Sequence, residues 1–485
     1  MWLINSTSYE LEDFSNKEIP DYAILSHTWG SGEITFQDMF SPMKFEKEGY
    51  NKIKMACKEA LTQGCSYAWV DTCCINKASS AELSESINSM FQWYRSAAVC
   101  CVYLVDLAAI SDLSQCRWFA RGFTLQELIA PKTVKFYDHS WRYIGTKVDL
   151  ANVIEQVTRI PKDILCGRSG IHDMSIATRM SWAAYRKTTR VEDLAYCLLG
   201  LFNVNMPLLY GEGMKAFRRL QEDIVKHSND LTIFAWEVPS NCKQRYIGLF
   251  APSPDAFATS SGINPFSDDE ADFSITNKGL RLIGDIPLRI ARINIGDDVL
   301  EEVFLIHLGT RAFKAKSKNV RMRDGGIYLR KVGPRLLCRD GDLPLDGFGP
   351  RSSEISMQDF SDTYIYLDPT PRTYAVYLSY RKGAIHIPTM DDGIFSLQSA
   401  RPELLWDPTD RLFLRSKAYS WVMYPMLLVM EFKLSGKDRY TFSIIVLCTY
   451  EQPDLTPKLS VFSKEHHVRE TAIILQRKHL ERGIT

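Results

Sequence analysis

The chain holds 485 residues, 45% hydrophobic and 24% charged, with 58 Lys and Arg balanced by 58 Asp and Glu. This describes a globular chain with material for more than one core, and a formal net charge of zero excludes both a highly charged disordered chain and the cation excess from which nucleic-acid binders draw affinity. No run approaches the roughly 18 apolar residues of a membrane helix, and Met1-Trp2-Leu3-Ile4-Asn5 lacks a signal peptide's basic start, so a cytoplasmic protein without a membrane segment is expected.

Tyr22-Ala23-Ile24-Leu25-Ser26 reads as the first buried strand and runs into the loop from His27 to Gly32. Tyr50, Ile53, Cys57, Ala60 and Leu61 mark one face of a helix that Gly64 is placed to cap. A second strand is expected at Tyr67–Asp71. Ser79 and Glu82 have the spacing of a capping box, opening a helix with an apolar stripe of Leu83, Ile87, Met90, Phe91 and Tyr94. Val99–Val105 is the third strand, Leu125–Ile129 a short helix stopped by Pro131, Thr133–Tyr137 the fourth strand, and Asp149–Val157 the last helix. Strands alternating with helices predict an α/β fold with a parallel sheet and flanking helices.

From Ser175 to Trp236 the pattern is helical, with Met214, Phe217, Leu220 and Ile224 on one apolar face. Gly211-Glu212-Gly213 before that face lacks the G-K-[ST] ending of a phosphate loop and reads as the lead-in to a helix. Beyond Tyr246 strand-like runs dominate, including Phe273–Thr276, Val303–Leu308, Gly326–Leu329, Tyr374–Tyr380 and Phe442–Leu447. Asp324-Gly325-Gly326, Asp340-Gly341-Asp342 and Asp391-Asp392-Gly393 are the turn signals between them, so a β-rich antiparallel domain is expected. Mixed charges over Ser463–Thr485 read as a solvated helix. The resulting division is 1–160, a helical extension over 161–245, and a β-rich accessory domain over 246–485 whose role the sequence does not give.

The twelve cysteines lie mostly inside apolar runs. Cys73-Cys74 and Cys100-Cys101 are adjacent, and neighbouring strand side chains point to opposite faces, so reduced thiols are expected. No C-x-x-C, H-x-x-x-H or H-E-x-x-H spacing supports a metal site.

Three blocks in the first unit are specific: Ala23-Ile24-Leu25-Ser26-His27-Thr28-Trp29-Gly30, Tyr67-Ala68-Trp69-Val70-Asp71-Thr72-Cys73-Cys74-Ile75-Asn76-Lys77 and Arg121-Gly122-Phe123-Thr124-Leu125-Gln126-Glu127-Leu128. In this order they resemble the signature blocks of the fungal HET (heterokaryon incompatibility) domain, and the resemblance continues through Ser84–Arg95 and Arg190–Gly200. It implies a role in fungal non-self recognition and programmed cell death, by self-association or through a nucleotide-binding sensor protein. Neither a Walker A loop nor a repeat of roughly 40 residues occurs in this chain. The HET domain is in turn distantly similar to TIR domains, some of which cleave NAD, which implies a TIR-like, flavodoxin-like sheet. TIR enzymes carry a glutamate in a W-x-x-x-E pattern; here Phe123-Thr124-Leu125-Gln126-Glu127 stands in the corresponding place, with Phe for Trp.

Cleaving a nicotinamide–ribose bond passes through an oxocarbenium-like state that a carboxylate can stabilise. Glu127 is therefore the candidate catalytic group and NAD the candidate substrate, with no cofactor required; T-x-x-E spacing from Thr124 equally suits a capping box. His27 is a candidate acid–base group, or a loop-fixing residue bonded to backbone. Open α/β sheets bind ligands beyond the carboxyl ends of their strands, which collects Ser26, Thr28, Trp29 and Gly30 with Asp71, Thr72 and Cys73 as candidate ligand contacts. Trp29 suits stacking or core closure, Asp71 a ribose hydroxyl or a turn cap, and Cys73 a nucleophile or, more simply, loop packing. Arg121, with Arg117, precedes the Glu127 helix and suits a pyrophosphate or a surface carboxylate. Glu85 reads as a solvated charge beside its helix stripe, and Arg190, Glu192 and Asp193 as a charge cluster needing no chemistry. The alternative to an enzyme is a signalling module acting by self-association and partner recruitment.

Overall fold

The computed structural model of the chain describes residues 1–239, Cys242, and residues 246–264, 272–283, 288–294, 300–314, 320–333, 336–341, 346–347, 364–365, 367, 385–386, 395–401, 406–407, 412–413, 426–434, 441–451 and 456–464. It divides into two compact units, one of Met1–Leu329 with Arg339–Asp362 and the other of Arg330–Cys338 with Thr363–Thr485.

The first unit is built on a seven-stranded sheet. In chain order its elements are β1 (Trp2–Asn5), β2 (Leu11–Asp13), β3 (Tyr22–His27), α1 (Tyr50–Thr62), β4 (Tyr67–Val70), α2 (Ser80–Ser96), β5 (Val99–Tyr103), α3 (Thr124–Ile129), β6 (Val134–Tyr137), β7 (Tyr143–Thr146) and α4 (Ala151–Thr158). The sheet order is β2-β1-β4-β3-β5-β6-β7. β3 pairs in parallel with β4 and β5, and β5 with β6. The four parallel strands thus run second-first-third-fourth, the flavodoxin-like order, in which ligands bind where the strand order reverses. Every residue of β3 is buried, as a central parallel strand covered on both faces requires.

β1, β2 and β7 were not anticipated. They add antiparallel strands at the two edges, and runs of three or four residues are too short for alternation to distinguish them from loops.

Within α1 the buried face is Tyr50, Ile53, Ala56, Cys57 and Ala60, and Leu61 is exposed. One residue past Ala60 is a rotation of about 100°, which carries Leu61 off the face. α2 starts as expected: Ser79 Oγ accepts from the Glu82 amide at 3.3 Å, but Glu82 Oε1 accepts from the Asn76 amide at 3.0 Å, so the box is only half closed.

Helices α5 (Lys162–Leu165), α6 (Ile176–Ser181), α7 (Asp193–Tyr196), α8 (Leu199–Phe202) and α9 (Lys215–His227) follow in the same unit. α8 packs on α2 so closely that a Cβ on Gly200 would lie 2.0 Å from Phe91 Cβ. Phe217, Leu220 and Ile224 of α9 are buried, whereas Met214, which precedes the first helical turn, is exposed. The Gly211–Gly213 lead-in binds an anion of its own chain: Glu192 Oε1 accepts from the Gly211 and Gly213 amides at 2.7 and 3.0 Å.

The later strands are mainly antiparallel, as in the pairings of Leu288–Asn294 with Leu300–Lys314 and of Met426–Leu434 with Thr441–Glu451. Asp324-Gly325-Gly326 is not a turn. It lies inside the strand Val320–Gly333, opposite a register shift between His307 and Gly309. A Cβ on Gly326 would meet the Ile306 carbonyl at 2.6 Å, so glycine there serves a close strand approach. The expected strand at 374–380, the turn at 391–393 and nearly all of the expected helix over 463–485 lie outside the described residues; Ser463 and Lys464 end a strand.

Candidate functional site

A cavity of about 330 Å³ opens in the first unit beyond the carboxyl ends of β3 and β4. His27, Thr28 and Trp29 enter it from β3, Asp71 from β4, and Glu127 from α3. Leu83, Ile87 and Met90 of the α2 stripe form an apolar wall. The opposite wall reaches the site through backbone: the Gly122 amide donates to the Lys187 carbonyl at 3.0 Å and the Lys187 amide to the Ala120 carbonyl at 2.7 Å, which docks the segment after Arg186 against the start of α3.

Glu127 is buried, with 6% of its surface exposed. Its Oε2 accepts from the Ser26 hydroxyl, which accepts from Trp118 Nε1 at 2.8 Å. Burial raises its pKa to about 8, the Asp71 charge adds to the rise, and Ser26, Tyr94 and Arg186 oppose it. The carboxyl is therefore mostly protonated at neutral pH. It caps nothing: α3 has no side-chain cap, and the Thr124 hydroxyl lies 2.6 and 2.8 Å from the carbonyls of Trp118 and Arg121.

The His27 ring is buried between two carboxylates, Nε2 at 3.6 Å from Glu33 Oε2 and Nδ1 at 3.9 Å from Asp71 Oδ1, with neither nitrogen hydrogen-bonded. The loop-fixing backbone bond considered for it does not form. Glu33 fixes the loop instead, accepting from Lys52 and, at 2.8 Å, from the Gly30 amide. Burial opposes its charge, but His27, Lys52 and the Gly30 amide outweigh that and hold its carboxyl down at about 2.

Trp29 does not close the core; 51% of it is exposed. Its Nε1 donates to Asp71 Oδ2 at 2.8 Å, and Lys77 Nζ stands 3.6 Å from its ring centroid. Asp71 Oδ1 is buried without a hydrogen bond. Arg121, Thr188, Thr189 and Arg190 line the other end, Arg190 lying over the Tyr210 ring at 4.3 Å and Tyr210 donating to Asp193 Oδ1 at 3.0 Å. Burial raises the Asp193 pKa, against Tyr210 and Arg190.

The structure thus brings His27, Thr28, Trp29, Asp71, Arg121 and Glu127 to one cavity, with Ser26 behind Glu127. Gly30, Thr72 and Cys73 are not in its lining. Burial pushes the Cys73 thiol well up, with neighbouring Cys74 and Asp71 adding to the shift, which opposes a thiolate nucleophile. Arg117 is turned elsewhere, donating through Nε to Thr28 Oγ1 at 3.0 Å. Sequence reasoning missed Lys77, Arg190, Asp193 and Tyr210 as lining residues. Arg190 and Asp193 stand in the quoted Arg190–Gly200 block, where the sequence reads as a charge cluster needing no chemistry.

Residues 22–112 match the family described as Heterokaryon incompatibility protein (HET), and residues 215–246 match a domain of unknown function, DUF8212. Over 248 residues the chain is 45% identical to vegetative incompatibility protein HET-E-1 of Podospora anserina, a match covering 48% of this chain and 18% of that protein. The chain therefore spans under a fifth of the length of the relative it matches. No solved structure matches it.

Proposed function

We propose, from the match of residues 22–112 to the HET family, that the chain is an effector of fungal non-self recognition whose cavity binds NAD and cleaves its nicotinamide–ribose bond, in the manner of TIR-like enzymes. The observation that carries this reading is Glu127: a buried carboxyl, oriented by Ser26 and Trp118, at a strand-end cavity that also holds Asp71 and His27. A protonated Glu127 gives up its proton to solvent when a cationic ring arrives, because an opposite charge within ~4–6 Å favours the carboxylate, and takes one back from solvent when the products leave. The nicotinamide of NAD is such a cation.

The carboxylate then accepts the ribose hydroxyls and stabilises positive charge at C1′ as the C1′–N bond breaks and its electron pair leaves with nicotinamide. Water adds to C1′ and its proton passes to His27, giving nicotinamide, ADP-ribose and one proton. Arg121 and Arg190 face the diphosphate. The test is nicotinamide release by the purified chain: Glu127→Gln abolishes it while leaving the fold intact, and unchanged release sinks the reading.

One observation favours a second reading, a non-enzymatic module acting by self-association. Phe40, Met43 and Phe45 are exposed within a six-residue stretch, an apolar patch of the kind that marks interaction sites. Light scattering over a concentration series checks it; a monomer at all concentrations, unchanged by Phe40→Ser with Phe45→Ser, removes it.

A further inference from the structure

A second cavity of about 260 Å³ lies in the first unit, walled by residues 114–120, by the end of α4, and by residues 181–186 after α6. Its charged lining is three arginines, Arg117, Arg159 and Arg186, with no carboxylate among the lining residues. None of the three forms an ion pair among the described residues. Two acids that reach the wall are engaged by backbone, Asp106 accepting from the Arg117 amide at 2.9 Å and Asp255 from the Tyr185 amide at 2.6 Å, while Glu127 faces Arg186 from the first cavity. Arg186 is 7% exposed. Its Nε and Nη1 donate at 2.9 Å to the carbonyls of Trp182 and Arg121, and its Nη2 is buried with no hydrogen-bond partner.

The backbone of the wall points the same way. Arg159 and Tyr185, both lining residues, have φ of 61° and 65°, a left-handed conformation that costs most side chains energy and concentrates at functional sites. Arg159 follows the last turn of α4, a place glycine fills at less cost.

We propose that this cavity is an anion site, binding a small phosphate-bearing ligand against the three guanidinium groups. Arginines gathered in a concave site without an ion pair are the arrangement that recognises phosphate. The volume falls below the ~300–1,000 Å³ usual for drug-sized ligands, which suits a diphosphate or a sugar phosphate. The site backs onto the first cavity: Arg117 donates to Thr28 at 3.0 Å and Arg186 Nη1 to Thr124 Oγ1 at 3.2 Å, and both threonines line that cavity. A bound anion is therefore felt on the wall that carries Glu127, whatever chemistry that cavity performs.

Calorimetric titration of the full chain with inorganic pyrophosphate, and separately with ribose 5-phosphate, tests the assignment. Saturable binding is expected for at least one, and the tighter of the two identifies diphosphate or sugar phosphate as the better ligand. Arg117→Gln and Arg159→Gln, both at exposed positions where folding is retained, each weaken it tenfold or more. Arg168→Gln, at an exposed arginine outside both cavities, leaves it unchanged. Absence of saturable binding by both probes overturns the proposal, as does loss with Arg190→Gln but not with Arg159→Gln, which would move the anion to the first cavity.

Discussion

The Ser26 hydroxyl donates to the Glu127 carboxyl across 101 positions of sequence, joining the end of β3 to α3. The same oxygen accepts Trp118 Nε1, so one hydroxyl orients the carboxyl and satisfies a buried indole. Ser26→Ala removes the donor that opposes the upward shift of Glu127, so the carboxyl titrates at still higher pH. It also strands the Trp118 donor, at a cost of about 1–3 kcal/mol. Carbon NMR of the Glu127 carboxyl and denaturant unfolding measure the two effects separately.

Glu127 makes the stability of the fold depend on pH in a definite direction. Its pKa rises from 4.5 to about 8 on folding, so between those values the native state holds a proton that the unfolded chain has lost. Stability is then greatest below the unfolded pKa, falls as pH rises through about 8, and is flat above. Glu127→Gln removes this slope, and on the alkaline side it is more stable than the parent by on the order of a few kcal/mol. Urea unfolding of both proteins at pH 5, 7 and 9 reads the difference; parallel profiles would mean the carboxyl is ionised throughout.

The sheet was legible because its four parallel strands are apolar runs bounded by turn residues, and so were the helices with a full stripe, such as α2. Edge strands of three or four residues, such as β2, carry no such signal, and the paired glycines at 325 and 326 carry a misleading one, since a strand crossing and a turn both favour glycine. In the site, His27 and Asp71 were legible through topology, at the ends of parallel strands, and Glu127 through the resemblance of its segment to W-x-x-x-E. Lys77, Arg190 and Tyr210 were not: they arrive by packing of loops and of the later helical segment, and no local spacing records a docking such as Lys187 on Gly122.

Gly200 sets the distance between α8 and α2. A methyl group there would sit at 2.0 Å from Phe91 Cβ, well inside contact distance, so either helix must shift. Overpacking of this kind costs about 1–3 kcal/mol or more, and Gly200→Ala is expected to lower the unfolding midpoint accordingly. Since α2 also supplies Leu83, Ile87 and Met90 to the first cavity, affinity there falls with it, measurable by calorimetric titration with NAD.

Cysteine reactivity separates packing from chemistry. Cys73, Cys74, Cys100 and Cys101 are buried free thiols, and burial pushes the thiols of Cys73 and Cys100 well above the usual range, with the adjacent cysteine adding to each shift. Alkylation of the folded chain with iodoacetamide is expected to leave all four unmodified while labelling the partly exposed Cys166, as mass spectrometry of the digest would show. Rapid native-state labelling of Cys73 would restore it as a nucleophile.

Trp29 holds opposite charges on two sides of one indole, Asp71 at its nitrogen and Lys77 over its face. Trp29→Phe keeps a ring for the cation but removes the donor, leaving Asp71 without that hydrogen bond. At so exposed a residue the loss of stability is small, about 1 kcal/mol or less, but its emission reports on the site. If a nicotinamide ring enters beside it, titration with NAD quenches part of the tryptophan fluorescence of the parent protein. The quench is expected to vanish in Trp29→Phe while calorimetry still detects binding. Equal quenching in both proteins would place the base away from Trp29, and would shift weight from the end of β3 to the Arg121 and Arg190 end of the cavity.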